Sequence, residues 1–179
     1  MLTALCRKVA CRGQTRPIEL RLDASRGYHF ESELLPYVDD KGSILLYPGD
    51  VVTVSVARNG KKLSLPKIVN ASDAGGKINL GGKANSGATS TVTFALTQDE
   101  GKPDMTLLVT NKTGLTLKYT AVAGIPSQQG LRPSHTSVCP LLPGSAKDGF
   151  TGHETWPQAI GMIILSDLRI VQSKDTACN

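Results

Sequence analysis

No stretch of this chain carries a convincing 3.6-residue stripe of apolar side chains, which argues against a helical domain and against strands alternating with crossover helices. No apolar run approaches the roughly 20 residues that a membrane-spanning helix needs. The 18 glycines follow no three-residue period, so a collagen-like chain is excluded. Aromatic residues make up only 4%, with a single tryptophan. The four cysteines, Cys6, Cys11, Cys139 and Cys178, contain no CxxC pair, which removes a zinc ribbon and a thioredoxin-type motif. There is no GxSxG nucleophile elbow. Gly76-Lys77-Ile78-Asn79-Leu80-Gly81-Gly82-Lys83-Ala84 misses a P-loop, because an extra glycine precedes the lysine and no Ser or Thr follows it to hold magnesium.

What is present is a two-residue period. Hydrophobic residues make up 40% of the 179, enough for one domain with a proper core and too many for a disordered chain. Ile18, Leu20 and Leu22 alternate with Glu19, Arg21 and Asp23, as on a half-buried strand. Val52, Val54 and Val56 alternate after the turn signal Pro48-Gly49-Asp50, and Asn59-Gly60 signals a hairpin. Further alternation runs through Val92–Leu96, Met105–Val109, Leu115–Ala121 and about Ile160–Val171. Glu31–Val38 is the best place for a short helical turn. Seven or more short strands with turns between them predict an all-β fold, a single antiparallel β-sandwich of immunoglobulin-like type, with a closed barrel as the structural alternative. The expected layout is a basic segment at 1–15, a sandwich domain at 16–171 and a tail at 172–179.

The net charge is +5, and residues 1–26 hold six cations against two anions, so +4 of it sits there. These side chains are expected to line a solvated strand face and a flexible end. With no aromatic interleaving for base stacking, no nucleic-acid partner is expected.

Residues 124–158 break the period. They hold Pro126, Pro133, Pro140, Pro143 and Pro157, half of the ten prolines, two of the three histidines, His135 and His153, and the only tryptophan, Trp156. A long irregular loop before the last strand is expected here, and such loops often carry function. His135, His153, Glu154 and Trp156 are its candidate contacts, Trp156 either as an interface anchor or as a plug in the core.

An even number of widely spaced cysteines points to two disulfides in an oxidising compartment. An odd number of strands would bring Cys139 to the pole of the first strand, which favours a bond to Cys6 or Cys11 and leaves Cys178 the other. Met1–Leu5 is too short for a signal h-region, so the chain reads as the mature form of a secreted or periplasmic protein. Asn70-Ala71-Ser72 and Asn111-Lys112-Thr113 are glycosylation sequons.

A sandwich with His, Cys and Met late in the chain resembles the cupredoxins, which bind copper through two His, one Cys and an axial Met. That resemblance implies His29 or His135 with Cys139, His153 and Met162 as ligands. The spacing departs from the family, because 13 residues separate Cys139 from His153 where one tight loop is wanted. A looser His-only metal site would use His29, His135 and His153. Ser137–Pro140, Trp156-Pro157 and Leu165–Val171 together resemble exported bacterial proteins of unassigned role. The reading favoured is an exported, non-enzymatic binding module that uses residues 124–158 on a protein or glycan partner, with no cofactor. A metal-binding protein or an enzyme using the same loop is the alternative.

Overall fold

The computed structural model describes residues 9–73, 76–78, 90–172 and 177–178. It is an all-β antiparallel sandwich, with no helix among the described residues. The strands, in chain order, are β1 (Pro17–Arg21), β2 (Gly27–Glu31), β3 (Ile44–Leu46), β4 (Val51–Ser55), β5 (Arg58–Asn59), β6 (Lys62–Leu63) and β7 (Lys67–Asp73). They continue with β8 (Gly76–Ile78), β9 (Thr91–Gln98), β10 (Met105–Asn111), β11 (Leu117–Ser127), β12 (Gly130–Thr136), β13 (Phe150–Trp156) and β14 (Met162–Ile170). A six-stranded sheet runs β13-β10-β9-β4-β7-β8 and a four-stranded sheet β12-β11-β14-β3, with β1-β2 and β5-β6 as separate two-stranded ladders.

The two-residue period is what buries one face of each large sheet. Val52 and Val54 of β4, Val92, Phe94 and Leu96 of β9, and Met105, Leu107 and Val109 of β10 point inward from one sheet. Leu117, Tyr119, Ala121 and Ala123 of β11 and Ile163 and Leu165 of β14 meet them from the other, in one continuous core. Phe94 and Tyr119 mark the contact between layers, edge to face at 5.9 Å. The β1-β2 hairpin adds Ile18 and Leu20 to the same core.

Three sequence expectations are corrected here. Residues 31–38 form no helical turn; β2 ends at Glu31, and isolated bridges at Pro36 and Val38 tie the following chain to Cys11 and Ile44. Much of 124–158 is strand: β11 runs on to Ser127, and β12 and β13 are edge strands, so the irregular part is 137–149 together with 157–161. Edge strands bury less, and the apolar alternation that reveals a strand is weak in them.

The third correction concerns the cysteines. Cys139 is bonded to Cys178, 39 residues on, and not to the amino-terminal pair. The reason lies in the ladders. β12 runs antiparallel to β11 and delivers the chain to Leu141, which pairs with Leu117; β14 ends with Ile170 opposite the same Leu117. The two flanking chains therefore leave at one pole, and Lys118 Nζ donates to Ala177 O there (3.1 Å). Cys11 is disulfide-bonded too, whereas Cys6 lies outside the described residues, as does most of the glycine-rich stretch with the P-loop-like sequence.

Within the basic amino-terminal stretch Arg21 and Arg26 are solvated as expected, whereas Arg12 and Arg16 are not. The Arg12 side chain is 3% exposed and ion-paired with Asp50, whose own side chain is fully buried. Arg16 Nη2 reaches the other carboxylate oxygen at 3.1 Å, and Tyr47 N donates to Asp50 at 2.8 Å. The Arg12 guanidinium also donates to Leu35 O (3.1 Å) and Leu45 O (3.0 Å), and it lies 4.3 and 4.7 Å from the ring centroids of Tyr37 and Tyr47. A buried charge persists only when it is paired and hydrogen-bonded in this way.

Candidate functional site

β13 and β12 are edge strands of the two different sheets, and the segment 137–149 passes from one to the other. Its anchors are polar. Cys139 N donates to Glu154 Oε1 at 2.6 Å. Leu141 exchanges backbone hydrogen bonds with Leu117 (2.8 and 3.0 Å). The fully buried Asn111 amide donates to Leu142 O (2.9 Å) and Leu115 O (2.8 Å), while its oxygen accepts from Thr113 N and Oγ1. Asn111 therefore has its side-chain nitrogen committed, and the sequon it belongs to reads as a structural turn.

Under this segment lies a pocket of about 320 Å³, lined by Val109, Tyr119, Leu142, Phe150, the Cys139 end of the disulfide and Glu154, with His153 at its side. The register of β13 on β10 explains the arrangement. Gly152, Glu154 and Trp156 stand opposite Val109, Leu107 and Met105, on the core side; Thr151, His153 and Thr155 stand opposite Thr110, Leu108 and Thr106, on the outer side. Glu154 is thus a carboxylate held half-buried at the seam between the sheets, and Gly152 leaves the space beside it open. Burial pushes the Tyr119 phenol well above its ordinary range, and the negative charge of Glu154 pushes it further the same way, so Tyr119 stays protonated.

Of the candidates drawn from 124–158, His153 and Glu154 share this pocket. His135 is exposed on β12 opposite Val122 and lines a different cavity with Thr120, Thr136 and Arg169. Trp156 is buried in the core, which makes it a plug and not an interface anchor. His29 is exposed on the β1-β2 hairpin, with Nδ1 3.9 Å from Glu19 Oε1. The copper ligand set is not assembled: Cys139 is in a disulfide and has no thiolate to offer, and among the described residues no three His, Cys, Asp or Glu side chains converge where a metal would sit. Tyr119, an aromatic on an alternating strand, carries no sequence signal beyond core packing, and Phe150 opens an edge strand whose apolar alternation Gly152 and Glu154 interrupt. No protein-family model matches the chain, and no characterised protein or solved structure shows significant similarity to it.

Proposed function

We propose that this protein is an exported, non-catalytic binding module that takes a cationic side chain of a protein partner into the seam pocket between β13 and the segment 137–142. The observation that carries this reading is the half-buried carboxylate of Glu154 in a pocket with no lysine or arginine in its lining and with the Phe150 and Tyr119 rings and Leu142 around it. Such a site suits a group with an alkyl stem and a positive end, a lysine or arginine side chain: the stem lies on apolar surface, the charge meets the carboxylate, and the rings add cation–π attraction. Leu142, 43% exposed, supplies apolar surface at its mouth. Disulfides at Cys11 and at Cys139–Cys178 support export, since such bonds persist in oxidising compartments.

The test is an amide NMR titration with butylammonium and with butanoate, ions of one shape and opposite charge. Butylammonium is expected to shift the resonances of Phe150–Glu154 and Cys139–Leu142, butanoate is not, and Glu154→Gln is expected to abolish the response. Equal shifts with both ions, or none with butylammonium, would overturn the reading. Thermal shift with Cu(II) and Zn(II) tests the competing metal reading on the same samples.

A further inference from the structure

A larger cavity, about 520 Å³, lies around the tip of the β1-β2 hairpin. From its composition we infer that it is a saccharide-binding site, separate from the seam pocket. Two of its walls are fixed before any ligand arrives. In the turn, the Asp23 carboxylate accepts from Ser25 N and Arg26 N (both 2.9 Å) and Ser25 Oγ (3.1 Å), and pairs with Arg26 Nε (2.5 Å). These bonds, the Ser25 N–H first, hold Asp23 ionised far below the usual carboxylate range. On the opposite side the Gln98 amide substitutes for a neighbouring strand: Oε1 accepts from Arg21 N (2.9 Å), and Nε2 donates to Arg21 O (2.8 Å) and Pro103 O (3.2 Å). The hairpin is thereby docked on the end of β9.

What remains unspent decides the ligand. The Arg21 guanidinium has one carbonyl contact, Ala24 O at 3.5 Å, and the Glu19 side chain, 86% exposed, has only His29 at 3.9 Å. Glu19 and Arg21 are two apart on β1 and share its outer face, and the residue paired with Arg21 is Gly27, which leaves that position open. Tyr28 pairs with Leu20 and turns to the core side of the hairpin, half-buried and 5.7 Å from Phe30, which leaves the outer face to the charged side chains. The charged lining is balanced, Glu19 and Asp23 against Arg21 and Arg26. A simple anion would meet two carboxylates, and a simple cation two guanidiniums. A neutral ligand whose vicinal hydroxyls both donate and accept satisfies both planar forks at once. That is the chemistry of a sugar.

Saturation-transfer NMR of the intact, oxidised protein against a panel of neutral hexoses, N-acetylhexosamines and short oligosaccharides tests this. At least one member is expected to bind, competitively with the others that bind. Arg21→Ala, which keeps the backbone pair with Gln98, is expected to weaken it about tenfold or more, the size of a lost charge-assisted bond. Glu19→Gln is expected to weaken it as well, and Glu154→Gln to leave it unchanged, which separates this site from the seam pocket. Binding of acetate or phosphate with no binding of any sugar, or sugar binding insensitive to both Arg21→Ala and Glu19→Gln, would overturn the inference.

Discussion

Replacing Asp50 with alanine is expected to be among the most costly single changes in this protein. Its carboxylate is fully buried and neutralises Arg12, itself 3% exposed, while also holding Arg16, 14% exposed. Removing it leaves a desolvated guanidinium that keeps only the carbonyls of Leu35, Pro36 and Leu45 and the faces of Tyr37 and Tyr47. Breaking a buried pair from one side costs about 3–5 kcal/mol. Arg16 sits near the surface and can turn toward water, which places the expectation at the lower half of that range. At about 2–4 °C per kcal/mol for a chain of this size, the melting temperature should fall by roughly 6–15 °C.

The assay is urea unfolding, with disulfides intact, of Asp50→Ala, of Arg12→Lys, and of a cycle made of Arg12→Met, Asp50→Leu and the paired variant that carries both. Arg12→Lys keeps the charge but loses the planar fork and its stacking, and is expected to cost about 1–3 kcal/mol. The paired variant is expected to lose less than the two single losses added together, because neither charge is then stranded. A cost below about 1 kcal/mol for Asp50→Ala, or strictly additive losses, would refute the claim that a trapped charge organises this end of the fold.

Cys139→Ser with Cys178→Ser opens a loop spanning 39 residues, and is expected to lower stability by about 2–4 kcal/mol in thermal or urea unfolding. Gly144→Ala would set a Cβ 1.9 Å from Phe150 N and 2.3 Å from Asn111 O, both backbone atoms that cannot yield; soluble yield and melting temperature should collapse, whereas Gly13→Ala, with open space around it, should be silent. Burial raises the Tyr47 and Tyr119 phenols above their ordinary value near 10. The folded state then holds protons that the unfolded state releases, so stability falls as pH rises beyond about 10, and ultraviolet titration should show both tyrosines ionising only on unfolding. In a glycosylating host the folded protein is expected to carry no glycan on Asn111, whose amide nitrogen is committed to Leu115 O and Leu142 O, which peptide mass spectrometry reads directly.

The legible strands were those with one face in the core. β4, β9, β10 and β11 alternate apolar and polar because every second side chain is buried, and the sandwich follows from them. β13 was missed because its inward positions are Phe150, Gly152, Glu154 and Trp156, and the glycine and the carboxylate in the middle interrupt the apolar alternation. β2 was missed for a similar reason: Tyr28 and Phe30 are only half-buried, and glycine and acidic residues bound them. Within 124–158 the sequence grouped His135, His153, Glu154 and Trp156 as candidate contacts; the fold brings His153 and Glu154 to one cavity and sends His135 to another and Trp156 to the core. The Arg12–Asp50 pair left no trace at all. Its members are 38 residues apart, arginine reads as a surface residue, and Asp50 sits in a Pro-Gly-Asp turn where a solvated aspartate is the ordinary case.

A two-layer sandwich leaves two lateral seams where its sheets do not meet, and neither is closed here by apolar packing alone. Beyond β3, the chain at 35–38 and the amino-terminal segment are joined by Tyr37 N to Ala10 O (3.2 Å) and fixed by the Arg12–Asp50–Arg16 cluster. Beyond β12, the segment 137–149 is fixed by Asn111, by Glu154 and by the disulfide to Cys178. Polar and covalent locks are directional, so they hold a segment at chosen points and do not fill the space between them, as interdigitating side chains would. The seam pocket is such a space, bounded by the bonds from Cys139 to Glu154 and from Asn111 to Leu142. Glu154 spends one oxygen on holding Cys139. Under the proposed function its charge also meets the ligand, so recognition at this edge of the sandwich would be built from the same side chains that close it.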